Sequence, residues 1–463
     1  MGQITLFDYL LLPLYLWLIF KIAYYYRDKY YPKDHPYQPY FIPALSVKIG
    51  GAIFIGLIYN YYYDGGDTFN FFYHSQVINS TFLQSPQSWF MLITHQTDTS
   101  NMIEAKALSE MYWFDDIPAY VTSCIGAFIG LFCFTKYLEI NIIVACLSFM
   151  ATWLMFTVFA EQYPKLIKYI AIAVFFMPGP AVWGSGLFKD SFCIISICGL
   201  VYGCYSLFEK GKLSVWLPLY MAVSILLLLV IKAYILILLL PIILFKIFLV
   251  YRKRLAIRYK GNVFYYAIVT LVTIGALFVL RRAAGYIQSA VTIEATLETI
   301  KHQKDYLLEV SIQQDGSAYD LGDFDPTMIS ILGKFWPAVN VTLFRPYIWE
   351  SRSIIQIFNS VESLFMLLLT AYLFVSRNIF KTIKNLLTDA NLIMCLLFAL
   401  SFAFVVGIST YNFGSLSRYK IPCTPFYMLL ILILLFKDKP VTGAKPTVTV
   451  TNDPEIPPGV IPG

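Results

Sequence analysis

Charged residues are scarce in this chain of 463 residues. Asp, Glu, Lys and Arg together make up 13% of the sequence, whereas an ordinary soluble domain carries roughly 25%. Hydrophobic residues account for 58% and aromatic residues for 17%. This composition excludes an ordinary soluble domain and indicates an integral membrane protein with many spans.

Closely paired cysteines are also lacking. None of the eight cysteines belongs to a CxxC pair, and all of them lie inside or beside apolar segments. We therefore interpret them as small packing residues, which excludes zinc and redox roles for them. The acids Asp315, Asp323 and Asp325 likewise lack the regular spacing of a calcium loop.

A basic tail, or a strip that mixes basic and aromatic residues, is absent as well. The formal net charge is +6, but Lys and Arg cluster in short loops between apolar segments, where they orient membrane helices. We therefore expect no nucleic-acid partner. No internal repeat is evident, which weighs against the transporter folds that are built from inverted repeats.

What the chain does contain is a succession of apolar stretches. They predict an all-α, polytopic integral membrane protein with about 11–13 transmembrane helices of roughly 20 residues each. We expect residues 1–436 to form a single membrane domain and residues 437–463 to form a proline-rich, disordered cytoplasmic tail. The predicted spans lie near 5–23, 44–62, 119–137, 141–159, 168–182, 190–207, 215–231, 234–251, 263–280, 354–375, 389–408 and 421–436.

The basic clusters predict the orientation of these spans. Residues 252–260 and 377–384 are rich in Lys and Arg, and such clusters stay in the cytoplasm. Two long loops, about 63–118 and 281–353, are then external. We therefore expect a multi-pass membrane protein whose functional face points outward.

One span between the first long loop and Lys189 does not fit this orientation. Lys189 is also expected outside, but the three predicted spans 119–137, 141–159 and 168–182 would bring it inside. Either one of them is a half-helix or a re-entrant piece, or the long loop contains another crossing. We expect 168–182 to be the incomplete span, because proline and glycine at 178–180 interrupt a helix at membrane depth only where protein or water shelters the backbone.

Two carboxylates follow the second predicted span directly. Asp64 and Asp67 stand on either side of two glycines, which allow a tight turn and let both acids face one aqueous pocket. They are the candidate catalytic residues, with Asp67 as the base and Asp64 as its helper. His74 lies close behind; we interpret it as a surface histidine, with a role as base or ligand as the alternative.

Cationic candidates come from two breaks in the apolar sequence. Lys189 and Asp190 follow a glycine-serine turn at the start of a helix, where backbone amides and a cation hold a phosphate well; the alternative is an interfacial anchor. Lys232 divides 37 largely apolar residues, a stretch too long for one span, and predicts two helices hinged at the lysine on the outer face. Anion binding by Lys232 and a plain hairpin tip are both open.

Two arginines complete the set of candidate residues. Arg345 closes the second long loop, and Arg418 lies between the last two spans. Positive residues on the outer side run against the usual topological bias, and arginine offers a planar fork that suits phosphate oxygens. Phosphate binding is the functional interpretation for both. Pairing with an acid of the long loops is the alternative.

The motifs at 64–68 (DGGDT), 180–190 (PAVWGSGLFKD) and 232–234 (KAY), in a layout that covers most of 44–436, resemble the GT-C class of membrane glycosyltransferases. This resemblance implies a polyprenyl-phosphate-linked sugar donor and an external glycan, lipid or protein acceptor. It also implies that Asp67 or Asp64 is the catalytic acid of the first external loop and that Asp190 is a second acid.

The sequence departs from the class pattern at two points. The acids of 64–67 are not adjacent, as they are in protein mannosyltransferases, and lysine occupies 232 where relatives carry arginine. A divalent metal stays possible as a cofactor. A glycan polymerase similar to O-antigen polymerases, and a transporter or flippase for an anionic lipid-linked substrate, are the alternative functions.

Overall fold

The computed structural model describes residues 4–212, 214–258, 318–323, 325 and 327–438. All regular secondary structure in these residues is helical, and an isolated antiparallel bridge joins Ala318 to Asn412. The predicted span 263–280, most of the loop 281–353 up to residue 317 and the tail from residue 439 lie outside the described residues. The all-α prediction is confirmed.

Long apolar helices alternate with shorter ones in the first part of the chain. Three of these helices, α1, α2 and α7, are long and apolar enough to cross a bilayer. The helices in chain order are α1 (Leu6–Tyr30), α2 (Gln38–Tyr61), α3 (Asp67–Phe82), α4 (Pro86–Ile93), α5 (Met102–Glu110), α6 (Ile117–Gly130), α7 (Tyr137–Gln162), α8 (Ile167–Phe175) and α9 (Pro178–Trp183).

The second part of the chain adds four more long apolar helices, α10, α11, α14 and α16. A π-helical turn, Tyr205–Glu209, extends α10, and the last two helices form a pair bent by 68°. The helices are α10 (Lys189–Cys204), α11 (Trp216–Arg258), α12 (Met328–Gly333), α13 (Phe335–Phe344), α14 (Ile354–Ser376), α15 (Ile379–Thr388), α16 (Ala390–Thr410), α17 (Phe413–Tyr419) and α18 (Thr424–Phe436).

Seven helices of the described residues are therefore candidate membrane spans, and the bent pair α17 and α18 is an eighth. The chain is a multi-pass membrane protein. Its packing centre lies along α7, α10 and the second half of α16, where Phe156, Phe159 and Phe402 are fully buried. Side chains of α1 are largely exposed on the outside of the bundle, as expected for a helix that faces lipid.

Helix α11 doubles back on itself at Lys232. Lys232 has non-helical backbone angles (φ −151°, ψ 76°). Before this break Met221 packs against Gly203, and after it Lys246 forms an ion pair with Glu209 at 2.7 Å. A continuous helix would separate Met221 from Lys246 by ~38 Å, although their partners on α10 are only ~9 Å apart. The predicted hinge at Lys232 is confirmed, and α11 runs the length of α10 twice.

The predicted span 119–137 is wrong. Its helix, α6, has only 14 residues, and the chain before and after it lies at one end of the bundle. Asp116 contacts Lys189 at 3.4 Å, while the hydroxyls of Tyr137 and Thr68 lie 3.0 Å apart. We call this end, which also holds Asp67, the Asp67 end. Helix α6 runs away from this end, and the residues after it lead back to the same end. The segment therefore does not cross the bundle.

The expectation that 168–182 is the incomplete span is also wrong. Tyr169 of α8 stacks on Phe436 at the far end of α18, with ring centroids 3.8 Å apart. Trp183, the last residue of α9, lies 5.8 Å from the guanidinium of Arg418 at the Asp67 end. Helices α8 and α9 are thus one crossing that is broken at Met177. Because α6 does not cross, only two crossings separate the first long loop from Lys189: α7, and α8 together with α9. Lys189 therefore returns to the same side as that loop, and the mismatch disappears.

We predict that Trp216 and Tyr251 are accessible from the same side of the membrane, because α11 is a hairpin. In a cysteine-free background, Trp216→Cys and Tyr251→Cys should react with an impermeant maleimide added from one side only. Asp115→Cys, at the Asp67 end, should react from the other side. Labelling of Trp216→Cys and Tyr251→Cys from opposite sides would show that α11 crosses only once.

Candidate functional site

Asp67 is placed by the turn that precedes α3. Asp64, Gly65 and Gly66 all have positive φ angles, of 48°, 145° and 125°. Glycine adopts such angles without strain, and a side chain at Gly66 would collide with the ring of Tyr59. The two glycines therefore turn the chain tightly, and Asp67 becomes the first residue of α3.

Arg418 connects two aspartates that are far apart in the sequence. Its Nη1 lies 3.1 Å from Oδ2 of Asp67, and its Nη2 lies 3.5 Å from Oδ2 of Asp190. The other oxygen of Asp190, Oδ1, accepts a hydrogen bond from Nζ of Lys232 at 2.5 Å. We call Asp67, Asp190, Lys232 and Arg418 the ion cluster.

Burial differs strongly within the ion cluster. The side chain of Asp190 is 2% exposed, those of Lys232 and Arg418 are 12% and 18% exposed, and that of Asp67 is 49% exposed. The buried part therefore holds two cations around one carboxylate and carries a net positive charge. Oδ1 of Asp67 has no hydrogen-bond partner among the described residues, so it is free to accept a proton from a ligand.

Aromatic rings surround the two cations. The guanidinium carbon of Arg418 lies 4.8 Å from the ring centre of Phe188, and Nζ of Lys232 lies 4.4 Å from that of Tyr419. These rings exclude water and stabilise positive charge through their faces. In such surroundings an anionic ligand gains more from the cations than it would in water.

Two cavities lie beside the ion cluster. The first, of about 200 Å³, is polar and includes Arg418 in its wall; we call it the polar cavity. The second, of about 280 Å³, is bounded almost entirely by apolar atoms of α2, α9 and α14; we call it the apolar groove. Phe54 and Phe358, which line the groove, are exposed on the outer surface of the bundle, so the groove opens sideways between α2 and α14.

A buried lysine holds the corner between α9 and α10. Nζ of Lys48 donates hydrogen bonds to the carbonyl oxygens of Pro180, at 2.9 Å, and Gly184, at 3.1 Å. Ser148 donates a further bond to the oxygen of Gly184. The sequence analysis assigned no role to Lys48, although a single charge within an apolar span is a signal of a functional or positioning role.

A second buried acid lies on α14. Glu362 accepts a hydrogen bond from the backbone N–H of Gly179, which fixes the start of α9. Lys420 lies nearby and donates to Ser363 at 2.8 Å. The sequence alone did not identify Glu362, which lies in the middle of a predicted span. A charged residue at such a position was the signal that could have identified it.

Two of the predicted phosphate ligands make other contacts. Nζ of Lys189 lies 3.4 Å from Asp116 instead of in the ion cluster. Arg345 pairs with Glu350, five residues later, through Nε at 3.0 Å. Burial opposes ionisation of Glu350, but hydrogen bonds from Arg345 and from the N–H of Tyr347 hold its pKa below the usual value. Arg345 thus pairs with a loop acid, which was its alternative interpretation. Lys189 also pairs with a loop acid, a contact that neither of its two interpretations included.

His74 is not a surface residue, contrary to the interpretation of the sequence. It is completely buried, and neither ring nitrogen has a hydrogen-bond partner in the described part of the chain. The rings of Tyr112 and Trp113 pack against it. Burial lowers the pKa of His74 to about 4, so the ring is neutral at physiological pH and belongs to the packing of α3.

Comparisons with protein-family models, with curated proteins and with solved structures find no match for this chain. The described residues also contain no group of three or more His, Cys, Asp or Glu side chains that could hold a metal ion. The ion cluster and the two cavities are therefore the features that indicate a function.

We predict that Asp190→Asn strongly destabilises the protein, because it leaves two buried cations without their carboxylate. Removal of one partner of a buried pair costs about 3–5 kcal/mol. Lys189→Gln, one residue earlier, is the matched control, since its pair with Asp116 is partly exposed and such pairs contribute about 0–1 kcal/mol. Thermal unfolding in detergent measures both variants; equal melting temperatures would contradict the prediction.

Proposed function

We propose that this protein is a membrane glycosyltransferase that moves a sugar from a polyprenyl-phosphate carrier to a glycan, lipid or protein acceptor. One observation carries the proposal. Arg418 lines the polar cavity and contacts Asp67 and Asp190, and this cavity adjoins an apolar groove that opens toward lipid. The groove thus suits a lipid chain, Arg418 suits a phosphate, and Asp67 suits an acceptor hydroxyl.

The ion cluster divides the chemistry between its members. Oδ1 of Asp67 takes the proton from the acceptor hydroxyl, whose oxygen attacks the anomeric carbon of the sugar. The bond from that carbon to the phosphate oxygen breaks, and the polyprenyl phosphate leaves with the electron pair. Arg418 and Lys232 stabilise the charge that develops on the phosphate. Asp190 is too deeply buried to reach the ligand and positions the two cations instead.

The apolar groove suits the lipid part of the donor. Gly50, Gly51 and Gly179 contribute to its wall, and at Gly50 a larger side chain would find open space. Its lateral opening beside Phe54 and Phe358 allows a lipid to enter from the bilayer. Helix α14 begins next to the polar cavity, so the positive end of its dipole adds to the attraction for a phosphate.

The distribution of basic residues supports an outward-facing site. Arg252 lies in the last part of the second arm of α11, and Arg377 donates a hydrogen bond to the carbonyl of Leu435 at the end of α18. Both lie at the end of the bundle opposite Asp67. Basic clusters favour the cytoplasmic side. We therefore propose that the Asp67 end faces outward across a bacterial inner membrane.

Transport of an anionic lipid-linked substrate is the second candidate. Lys48 and Glu362 are buried inside helices, and ionisable groups at such positions are also found along transport pathways. Each of them, however, bonds to backbone groups of α9 or of the turn after it, which explains its burial without a moving substrate. A glycan polymerase would use the same ion cluster with a larger donor.

We predict that Asp67→Asn lowers sugar transfer by roughly 10²–10⁴-fold, the usual contribution of a general base. The assay follows a radiolabelled sugar from polyprenyl phosphate to acceptor in membranes. Asp115→Asn, an exposed acid of the same loop, is the control and should keep full activity. Full transfer by Asp67→Asn excludes it as the base, and movement of intact lipid-linked sugar without transfer favours a transporter.

We also predict that Gly50→Leu weakens the use of long-chain donors, because leucine would project into the apolar groove. A β-carbon at Gly50 meets no other atom within 4 Å, so the fold should tolerate the change, and a helical glycine is a poor helix former. The apparent KM for a long-chain donor should rise roughly tenfold, equivalent to about 1.4 kcal/mol.

Gly333→Leu is the matched control for the groove, since Gly333 is equally open and lies outside it. A short-chain donor should be used equally well by both variants. An unchanged KM for the long-chain donor in Gly50→Leu would mean that the lipid lies elsewhere.

A further inference from the structure

The polar cavity and the apolar groove meet at Asn359. Three residues, Tyr59, Trp183 and Asn359, line both of them. Tyr59 and Trp183 present rings at this junction, whereas Asn359 presents an amide. A lipid-linked ligand whose chain lies in the groove therefore brings its phosphate and the sugar attached to it past Asn359 into the polar cavity.

The amide of Asn359 has no hydrogen-bond partner among the described residues. The residue is nonetheless 6% exposed, and that residual exposure is toward the two cavities. Because the amide faces the cavities, a ligand can bond to it without breaking a hydrogen bond inside the protein. Gln356 and Asn412, the other two amides of the polar cavity, already accept hydrogen bonds from backbone N–H groups.

The wall of the polar cavity matches the chemistry of a sugar ring. An amide both donates and accepts hydrogen bonds, as the hydroxyl groups of a sugar do. Tyr63 and Trp183 supply flat apolar faces, and Ser353 and Ser415 supply hydroxyls. Arg418 is the one charged residue among the described residues that line the cavity, and a basic amino sugar would place a second cation beside it.

The size of the polar cavity limits what it holds. Its volume is about 200 Å³. Pockets for drug-sized molecules run from ~300 to 1,000 Å³. The cavity therefore has room for one sugar ring and not for an oligosaccharide.

We propose that the polar cavity holds a single neutral or acidic sugar of the lipid-linked donor and that Asn359 recognises the hydroxyl groups of this sugar. The inference rests on the proposed function and deepens it. It favours transfer of one sugar at a time over polymerisation of a multi-sugar repeat unit, because a repeat unit would not fit between Tyr59, Trp183 and Arg418.

The test measures binding of two lipids to the full-length protein in nanodiscs. One is a polyprenyl monophosphate without sugar, and the other is the same lipid carrying a neutral hexose. Asn359→Leu keeps a similar side-chain volume but cannot form hydrogen bonds. It should weaken binding of the hexose-bearing lipid roughly tenfold or more and leave binding of the sugar-free lipid unchanged.

Asn385→Leu is the matched control, since Asn385 is a half-buried asparagine of α15 that lies far from both cavities and bonds to Asp438; it should change neither affinity. If Asn359→Leu does not fold, Asn359→Ser should show a smaller loss with the same selectivity for the hexose-bearing lipid. Equal weakening of both lipids, or no change in either, overturns the sugar-site proposal. Failure of the unmodified protein to bind either lipid overturns the proposed function itself.

Discussion

The structure of the Asp67 end depends on the ion pairs that Asp190 forms with two cations. One carboxylate, almost without solvent contact, lies between Arg418 and Lys232. Two buried cations repel each other strongly at low dielectric, so they stay together only because Asp190 lies between them. This arrangement fixes the break of α11, the start of α10 and the bend before α18 relative to one another.

The position of Asp190 depends in turn on the corner that precedes it. Lys48 and Ser148 bond to the carbonyl of Gly184, and Asn141 accepts the N–H of Leu187 at 2.7 Å. Polar side chains of α2 and α7 thus replace the hydrogen bonds that the broken helix lacks at this point. The rigid corner presents Phe188 to Arg418, and the same corner closes one side of both cavities.

The sequence allowed good prediction of the spans and of part of the candidate site. Lys232 interrupts an apolar run, so its hinge could be deduced, and the acidic turn before Asp67 was conspicuous among apolar residues. The short α6 was not foreseen, because its apolar composition reflects packing against α3 and not contact with lipid. The local pairing of Arg345 and the role of Lys48 depend on distances between helices, which apolar patterning does not specify.

The long separation between Asp67 and Arg418, which stand 351 residues apart in the chain, has a consequence for biosynthesis. Membrane helices leave the ribosome from the N-terminus onward, so the early acid reaches its side of the bilayer long before its arginine exists. Until the final two helices insert, Lys232 and Asp190 can pair but the cavity wall stays open. The growing chain therefore carries no complete site, and premature termination leaves the ion cluster without its arginine.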